Sequence, residues 1–298
     1  MRHCVIVLIS LLLSLNCFAK EEKRQCKMDR DYWLYTPDNF DSKKTYWLVV
    51  GVHGYGGKGA GAAGLKNWIS KFDNVIVVGP SFPNQGYQRL MVGSAKQLLN
   101  IQKSLAKEFK LHKKMFLYGF SGGSQFAHRF AGKYPKNVIG VSSHSGGTWD
   151  KGPGRRATTV LWTLSCGLND KAVSAGAPAP RIDCFRAFYK NMNKGKFTSK
   201  AFVTEAGHAA TKEVRAASEE CFRVSSSGMF DYQRQATEKM TVSERENWLK
   251  KDNQLEDIEF NDGKTSYQLK VNKDGWTVAK STLKSMLETR KTLDKLNK

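Results

Sequence analysis

Short apolar runs alternate with longer amphipathic stretches over residues 30–225. Tyr46–Val52, 75–79 and 138–143 are continuously apolar, which predicts strands that are buried on both faces of a sheet. Residues 90–111 instead carry leucine, isoleucine and phenylalanine at helical spacing with lysines between them, which predicts a long amphipathic helix. This alternation is typical of an α/β fold, in which a mostly parallel central sheet has helices on both faces.

The same patterns predict the remaining elements of the chain. Strands are expected at residues 31–36, 115–120, 158–165 and 197–205, and helices at 60–72, 122–134, 181–191 and 211–224. After residue 230 the pattern changes to a charged helical stretch at 232–251, a hairpin with its turn at 261–263, and a basic amphipathic helix at 276–296. We therefore expect one domain at 20–230, followed by a small α+β appendage at 231–298.

Residues 1–19 have the pattern of a secretory signal peptide. A basic start precedes an apolar run at residues 5–15, and Cys17-Phe18-Ala19 supplies small residues where a signal peptidase would cleave. The run is shorter than the about 20 residues of a membrane-spanning helix, and no later segment is suited to span a membrane. We expect a secreted or periplasmic protein that is cleaved after Ala19, with an uncleaved anchor and a lipid-modified Cys17 as the alternatives.

Four cysteines remain after the expected cleavage, namely Cys26, Cys166, Cys184 and Cys221. In an exported chain, four cysteines can form two disulfides in three possible pairings. Their scattered positions lack the C-x-x-C spacing that is typical of a metal site. Two disulfides are therefore expected, and four buried free thiols are the alternative.

The formal net charge is +21, and it is concentrated in one part of the chain. Residues 20–230 contain 33 Lys and Arg against 15 Asp and Glu, whereas residues 231–298 contain 14 against 12. A basic field of this size attracts polyanions and accelerates their encounter. The candidate partners of an exported protein are acidic polysaccharide, an anionic cell surface or anionic lipid, because no nucleic-acid-binding motif is present. General solubility or an organism-wide basic bias is the alternative explanation.

Residues 115–124 combine an apolar strand, a glycine-flanked corner with one serine, and the start of a helix. This is the G-x-S-x-G pattern, in which a serine on a tight strand-to-helix turn projects its hydroxyl above the sheet. Gly119 and Gly123 leave room where a side chain would collide with neighbouring backbone. Ser121 is therefore the candidate nucleophile, and the N–H of Gly122 is a candidate donor to an oxyanion.

A serine nucleophile needs a base and a carboxylate that orients this base. In chains with this elbow, the acid and then the histidine follow the serine on loops after later strands. Asp170 follows a predicted strand, and His208 lies between a predicted strand and a predicted helix with small neighbours. These two residues are the candidate acid and base. Asp150, which follows the preceding strand, and His144, which could line the site, are the weaker alternatives.

A glycine-rich loop follows the strand Tyr46–Val52, with the sequence His53-Gly54-Tyr55-Gly56-Gly57. Its glycines allow the loop to fold back so that a backbone N–H points into the site. We expect the N–H of Tyr55 to be the second oxyanion donor, together with Gly122. The alternative, a phosphate-binding loop, lacks the G-K-[ST] of a P-loop. Because these loops all follow strands, we expect them to meet at one edge of the sheet.

These motifs together resemble the α/β-hydrolase superfamily over about residues 30–225. The matching segments are His53-Gly-Tyr-Gly-Gly, Gly-Phe-Ser121-Gly-Gly, Gly-Leu-Asn-Asp170 and Ala-Gly-His208. Residues 32–57, and the elbow with residues 125–130, resemble the secreted esterases, which include polyhydroxyalkanoate depolymerases and feruloyl or acetylxylan esterases. The resemblance implies a serine esterase without cofactor or metal. It gives no information on the acyl group, and residues after 230 match no family.

The connection between the strands at 138–143 and 158–165 is too short for the helical lid that many members of the superfamily insert there. We therefore expect no large lid and an open site, whose basic surroundings suit an ester on a bulky or anionic carrier such as a polysaccharide. A serine peptidase on the same fold is the nearest alternative. A non-catalytic cell-surface binding protein is another, and the complete set of triad candidates argues against it.

Overall fold

The computed structural model describes residues 19–72, 74–150, 152–195, 197–227, 256–261, 263–264, 266–271 and 276. The strands of the main sheet are β1 Ala19–Cys26, β2 Arg30–Pro37, β3 Tyr46–Val52, β4 Val75–Pro80, β5 Leu111–Phe120, β6 Val138–His144, β7 Leu161–Gly167 and β8 Ser199–Thr204. The helices are α1 Asn67–Lys71, α2 Ser94–Glu108, α3 Gly122–Lys133, α4 Arg181–Gly195 and α5 Lys212–Ser226. These elements make a mostly parallel α/β sheet, as the apolar pattern predicts.

The strands are ordered β1-β2-β4-β3-β5-β6-β7-β8 in the sheet. β1 and β2 run antiparallel to their neighbours, whereas β4, β3, β5, β6, β7 and β8 pair in parallel. Parallel strands end at the same edge of a sheet, so the loops after β3, β5, β7 and β8 meet there. Those four loops carry the glycine-rich segment, Ser121, Asp170 and His208.

Helices cover both faces of the sheet, which confirms the expectation from the sequence. On one face, α2, α3 and α4 bury side chains such as Leu98, Phe126 and Phe185 in a common core. On the other face, α1 and α5 bury Trp68 and Phe222, whose rings lie 5.4 Å apart. Large side chains removed from water on both faces are the main stabilising contribution to such a layered fold.

The helix expected at 60–72 is instead a 3₁₀ segment, Gly59–Leu65, followed by the short α1. The cause is a close backbone contact, because a Cβ on Gly79 would lie 1.9 Å from the carbonyl oxygen of Gly59. Glycines permit this approach but are poor helix formers. The helix expected at 90–111 begins only at Ser94, since Leu90 and Val92 have φ values of 58° and 50°.

Strand β1 escaped prediction altogether because its sequence, Ala-Lys-Glu-Glu-Lys-Arg-Gln-Cys, is almost entirely polar. It pairs with β2 along all eight residues at the edge of the sheet. Charged side chains are common on edge strands, where they oppose pairing with other chains. Ion pairs also join β1 to the rest of the fold, including Arg24 with Glu108 on α2 at 2.6 Å. Residues 1–18 of the expected signal peptide lie outside the described residues.

The expected disulfides are wrong, because all four cysteines are free and buried. They lie on four different elements, β1, β7, α4 and α5, and point into the packed core. Cys221, for example, contacts the carbonyl oxygens of Val141 and Leu161 on neighbouring strands. Burial raises the pKa of Cys166 and of Cys221 to about 12, so these thiols are protonated and unreactive at neutral pH.

The hairpin expected near residue 261 is confirmed as β9 Glu256–Asn261 and β10 Ser266–Val271, which pair antiparallel. It packs on α4, where the rings of Phe260 and Tyr189 lie 5.2 Å apart, and Val271 is buried. The predicted helices at 232–251 and 276–296 lie outside the described residues, apart from Trp276, so the domain boundary at 230 stays a prediction. In the described part of the chain, no helix is long and apolar enough to cross a membrane.

Candidate active site

Ser121 occupies the corner between β5 and α3 with φ 56° and ψ −119°, a conformation that non-glycine residues rarely adopt. The corner depends on its flanking glycines. A Cβ on Gly119 would lie 2.3 Å from the carbonyl oxygen of Gly123, and a Cβ on Gly123 would lie 2.1 Å from that of Val52. Any side chain at either position would collide with this backbone, so the strained turn requires glycine at both. Among the described residues, the Ser121 hydroxyl has no hydrogen-bond partner, as is common in ligand-free sites.

His208 and Asp170 form a hydrogen-bonded pair at the same edge of the sheet. His208 Nδ1 lies 2.7 Å from Asp170 Oδ2, and the Asp170 side chain is 1% exposed whereas that of His208 is 31% exposed. The His208 ring lies 4.6 Å from the ring of Phe120, the residue before Ser121. Because Nδ1 donates its proton to Asp170, Nε2 is left to accept a proton from a hydroxyl. The structure thus brings Asp170 and His208 together beside Phe120, the residue that precedes Ser121.

Arg181, at the start of α4, is a partner of Asp170 that the sequence did not reveal. Its Nη1 lies 3.2 Å from Asp170 Oδ1, whereas His208 bonds to Oδ2. Burial alone would raise the pKa of Asp170. The hydrogen bond and charge of His208, together with the charge of Arg181, outweigh burial and lower this pKa, so the carboxylate is ionised at neutral pH.

The backbone of Tyr55, the predicted second oxyanion donor, lies against that of Gly122. A Cβ on Gly122 would be 2.8 Å from the Tyr55 nitrogen, so the two segments are in contact. In the described part of the chain, the Tyr55 N–H donates no hydrogen bond, and Gly122 is the first residue of α3, whose N–H has no acceptor within the helix. Two unpaired donors beside a serine can stabilise negative charge on an oxygen.

His53 holds the glycine-rich loop in place. Its Nε2 accepts from the Phe82 N–H at 3.0 Å, and its Nδ1 donates to the Gly54 carbonyl oxygen at 2.7 Å. Burial lowers the pKa of His53, which keeps the ring neutral and allows one nitrogen to accept while the other donates. The Tyr87 hydroxyl donates to the His53 carbonyl oxygen at 2.8 Å. His53 is therefore a structural support of the loop.

The outer part of the loop is fixed by its own turn. The N–H of Gly57 donates to the Gly54 carbonyl oxygen at 3.0 Å, and Gly56 has φ 79°, which favours glycine. The Gly56 N–H donates to Asn84 Oδ1 at 2.9 Å. The side chain of Tyr55 is 72% exposed, so this residue is held in the loop by its backbone and not by packing of its ring.

His144 is buried behind the site and supports the loop that carries His208. Its Nε2 donates to the Ala209 carbonyl oxygen at 2.8 Å, and its Nδ1 accepts from the Ser165 hydroxyl at 2.7 Å. Burial lowers the pKa of His144 to about 4, so the ring is neutral at physiological pH. The other alternative, Asp150, pairs with Arg129 at 2.7 Å and does not contact His208. Neither residue replaces Asp170 or His208.

No family model and no curated protein matches this sequence. Solved structures nevertheless share its architecture. A thermostable esterase aligns with a TM-score of 0.53 at 14% identity, over 68% of this chain and 62% of that one. The chain has the α/β-hydrolase fold. A CE1 ferulic acid esterase from Anaeromyces mucronatus aligns with a TM-score of 0.53 at 14% identity, over 69% of this chain and 89% of that one. Poly(aspartic acid) hydrolase-1 from Sphingomonas sp. KT-1 aligns with a TM-score of 0.55 at 18% identity, over 70% of this chain and all of that one.

This α/β-hydrolase fold has a cavity of about 410 Å³ beside the elbow. Gly54, Phe120 and Ala210 line it, so it borders the oxyanion loop, the residue before the nucleophile and the loop after His208. The rest of the wall consists largely of small and aromatic residues, including Gly51, Gly61, Ala62, Trp68 and Tyr118. Small residues leave space, and aromatic rings provide an apolar surface. The cavity can therefore hold an apolar group beside Phe120, the residue before Ser121.

Proposed function

We propose that this protein is a serine esterase that hydrolyses carboxylic esters through an acyl-enzyme. The observation that carries the proposal is the His208–Asp170 hydrogen bond beside Phe120 and the strained Ser121, together with the contact between the Tyr55 and Gly122 backbones. Esterases are among the solved structures with this fold, which supports the choice. No cofactor or metal takes part in the proposed reaction.

The geometry suits a two-step reaction. In the first step, Ser121 Oγ bonds to the ester carbonyl carbon while His208 Nε2 takes its proton, and the carbonyl oxygen becomes an oxyanion that accepts from the Tyr55 and Gly122 N–H groups. The bond to the leaving oxygen then breaks, and His208 returns the proton to the alcohol. In the second step, water replaces the alcohol, and the acid leaves with regeneration of the Ser121 hydroxyl. Asp170 holds the His208 tautomer throughout.

We further propose that the enzyme is exported and that its ester is borne on a bulky, anionic carrier such as an acidic polysaccharide. The signal-peptide pattern of residues 1–19 and the net charge of +21 support this assignment. The apolar cavity beside Phe120 suits the acyl part of such an ester. An activity on acetylated or feruloylated acidic polysaccharide that declines with salt is the expected result.

A fluorophosphonate probe tests the nucleophile directly. We expect Ser121→Ala to abolish labelling, whereas Ser70→Ala, a serine on the exposed part of α1 whose hydroxyl only bonds to Asn67, should be labelled like the wild type. Hydrolysis of p-nitrophenyl acetate should be lost in parallel. Folded wild-type protein that reacts with neither reagent would refute the proposal.

A serine peptidase is the second candidate. The same constellation can attack an amide, and the poly(aspartic acid) hydrolase with this fold bears the name of a polymer joined by amide bonds. Comparison of p-nitrophenyl esters with peptide anilides separates the two. Faster cleavage of the anilides, dependent on Ser121, would favour the peptidase.

A further inference from the structure

The carboxylate of the proposed site is carried by a short loop, residues 167–170, which we call the acid loop. The Leu168 N–H donates to the Thr204 carbonyl oxygen at 2.8 Å, and the Asn169 N–H donates to the Ala206 carbonyl oxygen at 3.1 Å. Both acceptors lie at the end of β8 or just after it, on the way to the proposed base. The position of the acid relative to the base therefore depends on how the acid loop is packed.

The tip of the β9–β10 hairpin lies against the acid loop. A Cβ on Gly263 would be 2.6 Å from Leu168 Cδ2 and 3.3 Å from Arg186 Nη2, so the Gly263 backbone is in van der Waals contact with the Leu168 side chain. Gly263 has φ 83°, which favours glycine, and its N–H donates to Asn261 Oδ1 at 2.8 Å. The contact joins the C-terminal segment to a residue two positions before Asp170.

The hairpin is anchored on α4 and in the core behind it. The rings of Phe260 and Tyr189 lie 5.2 Å apart, and Val271 is 2% exposed within the core on this face of the sheet. Lys264 Nζ lies 3.6 Å from Asp183 Oδ1 in the first turn of α4. Because Lys264 is exposed, this ion pair contributes little, and the burial of apolar side chains is the main anchor. The packing of the hairpin therefore holds its tip at the acid loop.

A small displacement of the acid loop would disturb the proposed catalytic pair. Asp170 accepts the Nδ1–H of His208 at 2.7 Å, and this hydrogen bond sets the orientation and tautomer of the ring. A misplacement of about 1 Å that arises far from the chemistry can cost about 100-fold in rate. Leu168 packs partly on the core and partly on the hairpin, so pressure on its side chain is passed to the backbone that precedes Asp170.

We propose that the tip of the β9–β10 hairpin is a positioning element for the catalytic acid, in which Gly263 contacts Leu168 and thereby holds Asp170 against His208. The inference rests on the proposed function, since Asp170 is the catalytic acid of the proposed esterase. Neither Gly263 nor Leu168 lines the cavity beside Phe120. Both are positioning residues, so they should affect turnover and not the binding of a small ester.

Gly263→Asn in the full chain tests this role. Asparagine adopts positive φ more readily than most residues, so the turn is kept while the new side chain presses on Leu168. We expect kcat for p-nitrophenyl acetate to fall about three- to tenfold with KM unchanged. In a Leu168→Ala background, which leaves room for the new side chain, Gly263→Asn should have little further effect on kcat.

Gly93→Asn is the matched control. Gly93 has φ 72°, and a Cβ on it would be 2.9 Å from the flexible end of Met28, so the control repeats both the turn conformation and the kind of contact. Met28 lies between β1 and β2, at the opposite end of the sheet from β7 and β8. Gly93→Asn should therefore lower the urea midpoint about as much as Gly263→Asn but leave kcat unchanged.

A proton resonance provides a readout that does not depend on activity. The His208 Nδ1–H proton, which is hydrogen-bonded to Asp170, should resonate downfield and be absent from His208→Gln. We expect this resonance to shift in Gly263→Asn and to keep its position in Gly93→Asn. If the wild type does not hydrolyse esters, the esterase proposal fails, whereas the resonance still decides whether the hairpin positions Asp170.

Three results would overturn the inference. The first is a Gly263→Asn variant with the kcat and the resonance of the wild type. The second is an equal fall of kcat in Gly93→Asn, which would attribute the loss to reduced stability. The third is an undiminished effect of Gly263→Asn in the Leu168→Ala background, which would show that the effect does not pass through Leu168. If Gly263→Asn does not fold, Phe260→Leu, which weakens the packing on Tyr189 without adding atoms at the tip, replaces it with the same expected fall in kcat.

Discussion

The ion pair between Arg181 and Asp170 makes a testable contribution to stability and to the candidate site. The two groups lie 3.2 Å apart, with side-chain exposures of 17% and 1%. Replacement of Arg181 by Met leaves Asp170 buried with the His208 hydrogen bond but without the Arg181 charge. We expect Arg181→Met to destabilise the protein at pH 7, because an ionised carboxylate that is buried without its full set of partners costs free energy.

The expected magnitude follows from the distance and the burial. Two unit charges 3.2 Å apart attract by about 5 kcal/mol at an effective dielectric constant of about 20. The desolvation of both groups opposes this attraction, and the His208 hydrogen bond persists in the variant. A net loss of about 2–3 kcal/mol in the free energy of unfolding is therefore expected. Arg186→Met on the same helix removes a pair with the more exposed Asp183 and should cost less than about 1 kcal/mol.

The pH dependence gives a second readout. The pKa of Asp170 is lower in the folded than in the unfolded chain, so its stabilising contribution is present at neutral pH and is lost as the pH falls through the folded value. The difference between Arg181→Met and the wild type should therefore shrink towards acid pH. Urea unfolding at neutral and at acid pH measures it. Equal losses in Arg181→Met and Arg186→Met at pH 7 would refute the reasoning.

Three further predictions address the elbow, His144 and the cavity. Gly123→Ala should abolish activity and cost several kcal/mol of stability, because its Cβ would lie 2.1 Å from the Val52 carbonyl oxygen. The control Gly64→Ala, with open space around it, should cost less than about 1 kcal/mol, as measured by urea unfolding. His144 has a pKa of about 4 against 6.5 in the unfolded chain, so it should contribute up to about 3 kcal/mol to the loss of stability as the pH drops from 6.5 to 4. Because burial also lowers the pKa of His53 and His128, a His144→Asn variant should lose less stability over this range than the wild type, and a loss as large as that of the wild type would contradict the assignment. Gly61→Leu, which projects into the cavity beside Phe120, should lower kcat/KM for a hexanoyl ester about tenfold relative to acetyl, and an unchanged ratio would exclude the cavity as the acyl site.

The sequence predicted most of the fold because buried parallel strands and amphipathic helices have strong periodic patterns. It failed where local composition was misleading. β1 is polar because it lies at an edge, and Gly59–Leu65 is a 3₁₀ segment because the backbone there must touch β4. The disulfides were expected only because the chain was predicted to be exported to an oxidising compartment. No local pattern in the sequence shows that the four cysteines are buried on separate elements.

The sequence likewise predicted some residues of the candidate site and missed others. Ser121, Asp170 and His208 could be proposed because each role demands one residue type after a strand, in a known order. The residues that hold them in place could not be proposed from the sequence. Arg181, His144 and Tyr87 contact the site from distant positions in the chain, and no local sequence pattern marks them. Arg181 lies near Asp170 because α4 begins beside the end of β7. His144, at the end of β6, bonds to Ala209 in the loop after β8. If these contacts position the site, substitutions at Arg181 and His144 should lower kcat with little change in KM for a small ester, because neither residue lines the cavity beside Phe120.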